Sequence, residues 1–132
     1  MKALVFIAGL LSAPMPAQAQ PYLSVSLCDL HTQAQAMAGK EITFSALYET
    51  DRRHGAALTA AACPDVQFAP YLDRDAPDKA SLDAFEAAVL GDPGDISLRR
   101  FSIIARARYA GFSKTDGKDK IIIDKVIAYK RQ

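Results

Sequence analysis

Residues 97–129 read SLRRFSIIARARYAGFSKTDGKDKIIIDKVIAY, and this stretch decides the fold. In its first half, every second residue from Phe101 to Tyr109 is apolar or aromatic, which is typical of a half-buried strand. Asp116-Gly117 is a strong signal for the tight turn of a hairpin. The second half predicts another strand, which carries four large residues on one side: Ile121, Ile123, Ile127 and Tyr129. The stretch therefore predicts two long neighbouring strands.

The rest of the chain predicts two helices and three further strands. Ser26 can cap a first helix, which ends at Gly39. A half-buried strand follows over residues 40–49, a second strand includes Leu58 and Thr59, and a third covers residues 66–69. Asp78 can cap a second helix over residues 79–90, whose apolar stripe has helical spacing: Leu82, Phe85 and Val89.

The order of these elements is helix, three strands, helix, two strands. Without the leading helix, this is the order of an OB-fold, a five-stranded barrel with a helix between the third and fourth strands. Residues 20–132 are therefore predicted to form a single, mainly β, OB-fold-like domain with an additional N-terminal helix. A cystatin-like or other α+β sheet is the alternative.

Composition excludes several classes of protein. The chain has 132 residues, half of them hydrophobic, which is enough for the core of one domain and argues against disorder. Its 16 basic and 15 acidic residues show no basic excess, so nucleic acid is not an expected partner.

Residues 1–19 are predicted to be a cleaved signal peptide. Lys2 provides the positive start, an apolar run follows, and Ala17-Gln18-Ala19 is a small-x-small cleavage site. The apolar run is shorter than the about 20 residues that a membrane-spanning helix needs. We therefore expect a periplasmic or secreted protein without a membrane span after cleavage.

Export changes the expected role of the two cysteines. In an oxidising compartment Cys28 and Cys63 are expected to form a structural disulfide. A closed loop of about 36 residues contributes about 4 kcal/mol in the chain-entropy model. No Cys-x-x-Cys motif suggests a redox site, and no metal site or cofactor is predicted.

Three short stretches carry a family resemblance: Cys28-Asp29-Leu30, Gly39-Lys40-Glu41-Ile42-Thr43-Phe44 and Cys63-Pro64-Asp65. The chain resembles small exported bacterial OB-fold-like proteins of unknown function. These have a leading helix, a Gly-Lys pair at the first strand and a Cys-Pro pair after the second. The chain is also similar in compartment and topology to periplasmic bacterial OB-fold proteins. It lacks their Asp-x-Thr-Gly-type centre, so the resemblance implies no functional residue.

Two connections carry most of the candidate site residues. OB-folds bind ligands between the first-to-second and fourth-to-fifth strand connections. Here these connections supply six candidate ligand-binding residues: Arg52, Arg53, His54, Lys114, Lys118 and Lys120. Such side chains suit a carboxylate or phosphate. Simple solvated turns are the alternative interpretation, since acidic residues are interleaved, among them Asp51, Asp116 and Asp119.

A second basic set lies on and before the fourth strand: Arg99, Arg100, Arg106 and Arg108. Aromatic stacking partners are not evident between these arginines, so a solvated outer face or ion pairs with Asp and Glu are expected.

The sequence favours a non-catalytic binding or interaction module of the cell envelope. Its expected partner is an envelope protein or a small anionic ligand. The alternative is a small hydrolase that uses Asp51 and His54, although no Gly-x-Ser-x-Gly motif is present. A third interpretation is a subunit that is stable only within a larger envelope assembly.

Overall fold

Alternating apolar and polar side chains form two long strands at the centre of the fold. The structure, a computed structural model, describes residues 22–51, 54–115 and 117–132. The predicted signal peptide and Asp116 lie outside these residues. The elements follow in this order: β1 (Leu23–Ser24), α1 (Leu27–Thr32), α2 (Ala34–Met37), β2 (Glu41–Thr50), β3 (Ala56–Thr59), β4 (Phe68–Leu72), α3 (Lys79–Leu90), β5 (Arg99–Ser113) and β6 (Lys118–Arg131).

The strands form one six-stranded sheet. Hydrogen-bonded neighbours follow the order β1-β2-β3-β4-β6-β5, and β5 also pairs with β2. The β2–β5 pairing is antiparallel, from Glu41 opposite Arg108 to Thr50 opposite Arg99. β4 and β6 pair in parallel. The chain is mainly β, as predicted, but the described residues form six strands where the sequence predicts five, and α3 follows the fourth strand. The additional strand, β1, has two residues, too few to show a periodic pattern.

β5 confirms the predicted alternation, whereas β6 departs from it. The predicted core positions of β5 are all buried: Phe101, Ile103, Ala105, Ala107 and Tyr109. In β6, Ala128 pairs with Ile104 and Val126 pairs with Ala105, so Ile127 has no partner in β5. This bulge leaves Ile127 51% exposed and buries Val126 instead. The prediction that Ile127 faces inward was wrong for this reason.

Phe85 of α3 lies in the middle of an aromatic cluster. The predicted stripe of α3 is buried: Leu82, Phe85 and Val89. Ring centroids lie 5.0 Å from Phe85 to Tyr48, 5.7 Å to Phe101 and 5.4 Å to Tyr129, all edge to face. Such pairs contribute about 0.5–1.5 kcal/mol each beyond area burial. They fix α3 against β2, β5 and β6.

The predicted N-terminal helix is divided into two short helices. The Ser26 hydroxyl accepts a hydrogen bond from the Asp29 N–H at 3.1 Å, which confirms the predicted cap. Gln33, with φ of −113° and ψ of 29°, separates α1 from α2. Asp78 precedes α3 as predicted, but its side chain makes no capping bond. Its carboxylate instead lies 3.2 Å from Lys125 Nζ.

The predicted disulfide is present. Cys28 and Cys63 are bonded, with their Cα atoms 5.8 Å apart. The bond joins α1 to the connection between β3 and β4. It therefore attaches the N-terminal helices to the sheet. Among the described helices, none is long and apolar enough to cross a membrane.

Arg99 was predicted to belong to a solvated basic set, but it is 1% exposed. It has the same parity as Phe101 in β5 and therefore faces inward, toward the last turn of α3. Its guanidinium donates to the carbonyl oxygens of Val89, Leu90 and Asp95, the last two at 2.8 and 2.7 Å. Arg99 thus satisfies carbonyl groups that a helix C-terminus leaves without partners.

Candidate functional site

The six predicted ligand-binding residues belong to two connections and the strand that follows one of them. Arg52 and Arg53 lie outside the described residues. The others have these places: His54 between β2 and β3, Lys114 in the exposed β5–β6 turn, and Lys118 and Lys120 on β6. Thr50, which ends β2, pairs with the first residue of β5, whereas the β5–β6 turn follows its last residue. The two connections therefore extend from opposite ends of β5.

A concave surface on β4, β5 and β6 brings together residues that the sequence places far apart. We call Tyr71, Arg108, Lys120 and Ile122 the basic face. Ile122 of β6 pairs with Tyr71 of β4 and with Arg108 of β5, so these three form one row across the sheet. Lys120 Nζ lies 5.5 Å from the centroid of the Tyr71 ring, a cation–π contact. The basic face lines a cavity of about 420 Å³.

Arg108 differs from the other arginines on the outer side of β5. Arg106 Nε donates to Asp124 at 2.9 Å, and Arg100 Nε lies 3.7 Å from a Glu49 carboxylate oxygen. These two confirm the expected pairing with acidic residues. Arg108 is exposed, and no ion-pair partner for it is found in the described part of the chain. Glu41 of β2 lies opposite Arg108 in the strand pairing, but no direct ion pair joins these two residues in the described part of the chain, so the Arg108 guanidinium can still contact an anion.

A second concavity of about 570 Å³ adjoins the first. Tyr71, Leu72 and Arg74 line both. In the second concavity, Arg74 donates two hydrogen bonds to the Glu86 carboxylate, at 2.5 and 2.8 Å. These bonds lower the pKa of Glu86, so it remains ionised at neutral pH. The second concavity thus contains a neutralised ion pair.

The alternative hydrolytic pair is in contact at an exposed turn. His54 Nδ1 lies 2.6 Å from one oxygen of Asp51, and the His54 N–H donates to the other oxygen at 2.8 Å. The hydrogen bond to Asp51 raises the pKa of His54, which favours the protonated ring over a general base. The His54 side chain is 83% exposed. Thr50 Oγ1 donates to the carbonyl of Gly55. Asp51 and His54 therefore stabilise a hydrogen-bonded turn at the surface, and the described residues do not form a pocket around them that could enclose a substrate.

A buried carboxylate was missed by the sequence interpretation. Asp119, predicted to lie in a solvated turn, is 2% exposed in β6. It accepts a hydrogen bond from the Tyr109 hydroxyl, and its other oxygen lies 2.9 Å from His31 Nδ1. Burial, followed by the hydrogen bond to Asp119, raises the pKa of Tyr109 and keeps this phenol protonated. Asp119 shares its parity with Ile121 and Ile123, and that parity was the available signal. The cluster ties α1 to β5 and β6.

A wider groove of about 970 Å³ lies across β2, β5 and the β3–β4 connection. Its central residues are small or apolar: Ala46, Leu47, Ala60, Ala61, Pro64 and Ile104. Glu49 and Lys130 also line it. Among the described residues that line this groove, Lys130 is the only basic one, whereas Arg108 and Lys120 both belong to the basic face. In residues 22–51, 54–115 and 117–132, no three His, Cys, Asp or Glu side chains are placed to hold a metal ion.

Comparison of the chain with protein-family models, curated protein sequences and solved structures finds no match. The geometry and charge of the basic face are therefore the basis for assigning a function.

Proposed function

We propose that the chain is a non-catalytic binding module for an anionic ligand, which binds at the basic face. The observation that carries this proposal is the exposed Arg108 guanidinium, which has no ion-pair partner among the described residues and shares a cavity with Lys120 and Tyr71. Arginine can bind a carboxylate or phosphate through two parallel hydrogen bonds. Lys120 adds a second positive charge, and Lys118 lies two residues before it on the same side of β6.

We further propose that the sheet is an OB-fold-like barrel in an exported protein. The pairings β2-β3-β4-β6-β5 and the return from β5 to β2 support the first point, because they give the strand neighbours of a five-stranded closed sheet. The position of α3 between β4 and β5 also fits. The pattern of residues 1–19 and the Cys28–Cys63 bond support export, to the periplasm or outside the cell.

The connections named in the sequence analysis remain part of this proposal. Thr50, at the end of β2, lines the second concavity. Lys120 contacts the Tyr71 ring, which lines the same concavity. We propose that the basic residues of the two connections, Arg52, Arg53, His54, Lys114 and Lys118, attract an anion from either end of β5 through long-range electrostatics.

Binding to anions tests the proposal. The mature chain, residues 20–132, is titrated calorimetrically with tripolyphosphate, an oligogalacturonate and an oligoglutamate at two salt concentrations. We expect binding to at least one of them that weakens with salt, because exposed charges are screened. Arg108→Gln should weaken it about tenfold, since a charge-assisted hydrogen bond is lost.

Arg100→Gln is the matched control, because Arg100 lies on the same side of the same strand but faces Glu49. It should leave the affinity within about twofold. Failure of all three anions to bind, or equal losses in the two variants, overturns the proposed function.

The hydrolase alternative predicts that His54→Gln abolishes turnover. The binding proposal predicts that anion affinity in this variant changes only slightly, since His54 lies outside the basic face. Hydrolysis of an ester or phosphoester by the purified chain that His54→Gln removes would favour the alternative.

A further inference from the structure

The last residues of β6 have a neighbouring strand on only one side. β5 pairs with β6 as far as Arg131. β4 pairs with the other side of β6 only as far as Ile123, and no other strand among the described residues continues this pairing. Beyond Ile123, the Val126 N–H donates to the Ser81 hydroxyl of α3 at 3.2 Å. We call the side of residues 127–131 that faces away from β5 the free edge.

Strand geometry shows which backbone groups point into the free edge. The Gln132 N–H donates to the Arg100 carbonyl of β5 at 2.9 Å. Successive residues of a strand direct their N–H and C=O groups to opposite sides, so those of Tyr129 and Arg131 point away from β5. In the described part of the chain, these groups have no hydrogen-bond partner. A strand edge with unpaired backbone groups can accept another strand.

The free edge also offers apolar surface. Ile127 is 51% exposed and Tyr129 is 42% exposed. The Tyr129 ring packs against Phe85 of α3, with the ring centroids 5.4 Å apart, which holds this part of β6 in place. An added strand can cover the exposed parts of both side chains, so apolar burial adds to the main-chain hydrogen bonds.

The charges around the free edge favour an acidic partner. Lys130 and Arg131 are exposed, and neither has an ion-pair partner among the described residues. Glu49 lines the same groove as Lys130, but its carboxylate lies 3.7 Å from Arg100 Nε. Opposite charges on neighbouring strands stabilise their pairing, and like charges destabilise it. Two copies of β6 would bring these cations together from both chains, so an acidic segment fits the free edge better than a second copy.

We propose that the free edge of β6 accepts an extended acidic segment of a partner protein as an additional strand. The segment pairs with the main-chain groups of Tyr129 and Arg131, and its carboxylates bind the side chains of Lys130 and Arg131. This surface is separate from the anion site at the basic face, and the inference does not rest on that site.

Peptide binding tests the inference. The mature chain, residues 20–132, is titrated with a fluorescently labelled octapeptide of alternating glutamate and valine, and with a lysine–valine octapeptide of the same pattern. We expect the acidic peptide to bind about tenfold more tightly and to weaken with salt. Lys130→Gln should weaken it about threefold. Lys40→Gln, which removes an exposed charge just before β2, is the control and should leave the affinity within about twofold.

Two variants of Arg131 separate the main-chain bond from the charge. Arg131→Pro and Arg131→Gln both lose the guanidinium, but only proline also lacks the N–H that points into the free edge. We expect Arg131→Pro to bind the acidic peptide about fivefold more weakly than Arg131→Gln. The pairing with β5 does not use this N–H, so the urea midpoints of the two variants should be similar.

Hydrogen exchange of the unmodified chain gives a second measurement, which does not depend on the folding of any variant. With the acidic peptide at about ten times its dissociation constant, exchange of the Tyr129 and Arg131 amides should slow about tenfold. The amide of Ile96, in the exposed α3–β5 connection, is the control and should exchange at an unchanged rate.

Three results overturn the inference. The first is binding of the acidic peptide that is no tighter than that of the lysine peptide, or that leaves exchange at Tyr129 and Arg131 unchanged. The second is an equal loss in Arg108→Gln and Lys130→Gln, which would place the peptide at the basic face; we expect Arg108→Gln to stay within about twofold. The third is a dimer in sedimentation without peptide that Arg131→Pro converts to a monomer, since the occupant is then a second copy.

Discussion

Replacing Arg99 by methionine should destabilise the fold by about 3 kcal/mol. Arg99 is buried and donates to the carbonyl oxygens of Val89, Leu90 and Asp95. Hydrogen bonds from a charged group contribute about 1.5–3 kcal/mol each. Leu90 is exposed, so water can replace part of this loss, and the buried Nε of Arg99 has no hydrogen-bond partner among the described residues. The net effect is therefore smaller than the sum of three bonds.

Urea unfolding measures this loss. Far-ultraviolet circular dichroism is the suitable signal, because the chain has no tryptophan. Arg100→Met is the control, since Arg100 is the exposed neighbour of Arg99 and should change the free energy of unfolding by less than about 0.5 kcal/mol. The reasoning is refuted if Arg99→Met costs less than about 1 kcal/mol, or no more than the control.

Two further predictions concern the disulfide and Asp95. In the double variant Cys28→Ser, Cys63→Ser, the free energy of unfolding should be about 2–4 kcal/mol lower than in the oxidised chain, as measured by urea titration. An unchanged urea midpoint would contradict this prediction. Hydrogen bonds from the Ser97 hydroxyl and N–H, followed by the bond to Arg99, hold the pKa of Asp95 well below its ordinary value. The stabilisation that the ionised Asp95 carboxylate gives to the folded state is present above the unfolded-state pKa of about 3.9 and is lost as the pH falls. The stability difference between the native chain and Asp95→Asn should therefore be smaller at acidic than at neutral pH, whereas equal differences would contradict this assignment.

The long strands were predictable because their pattern is local. In β5, side-chain alternation alone identifies the inward residues. In β6 the same rule fails after Ile123, because Asp124 and Ile127 have no partners in β5. Bulges depend on how a strand must bend to meet its neighbours, and this information is not contained in the period of one strand.

The candidate site was predictable only in part. Lys120 was identified as a ligand-binding candidate, and Arg108 was placed on the outer side of its strand. Tyr71 was missed because it follows Pro70 and precedes Asp73, a composition typical of a loop. It belongs to β4 through parallel pairing with β6, about 50 residues further along the chain. Such distant pairing leaves no mark in the local sequence.

For Arg99 and Asp119, the prediction of solvent exposure was wrong for a different reason. Both are charged residues at positions where the alternation points inward, and solvation was expected from their charge. The structure instead gives Arg99 the carbonyl oxygens at the end of α3, and Asp119 the Tyr109 hydroxyl and the His31 ring. A charged residue at an inward position thus indicates a buried partner elsewhere in the chain.

The buried carboxylate also determines how β5 and β6 align. Asp119 lies between Lys118 and Lys120, and successive residues of a strand point to opposite sides of the sheet. A slip of one residue would turn Asp119 outward and bring a lysine toward Tyr109, a residue with no exposed surface. The neighbouring alignments would therefore bury an ammonium group in place of a hydrogen-bonded carboxylate. One acidic side chain between two basic ones thus helps to fix the register of β5 and β6, the longest strand pairing in the sheet.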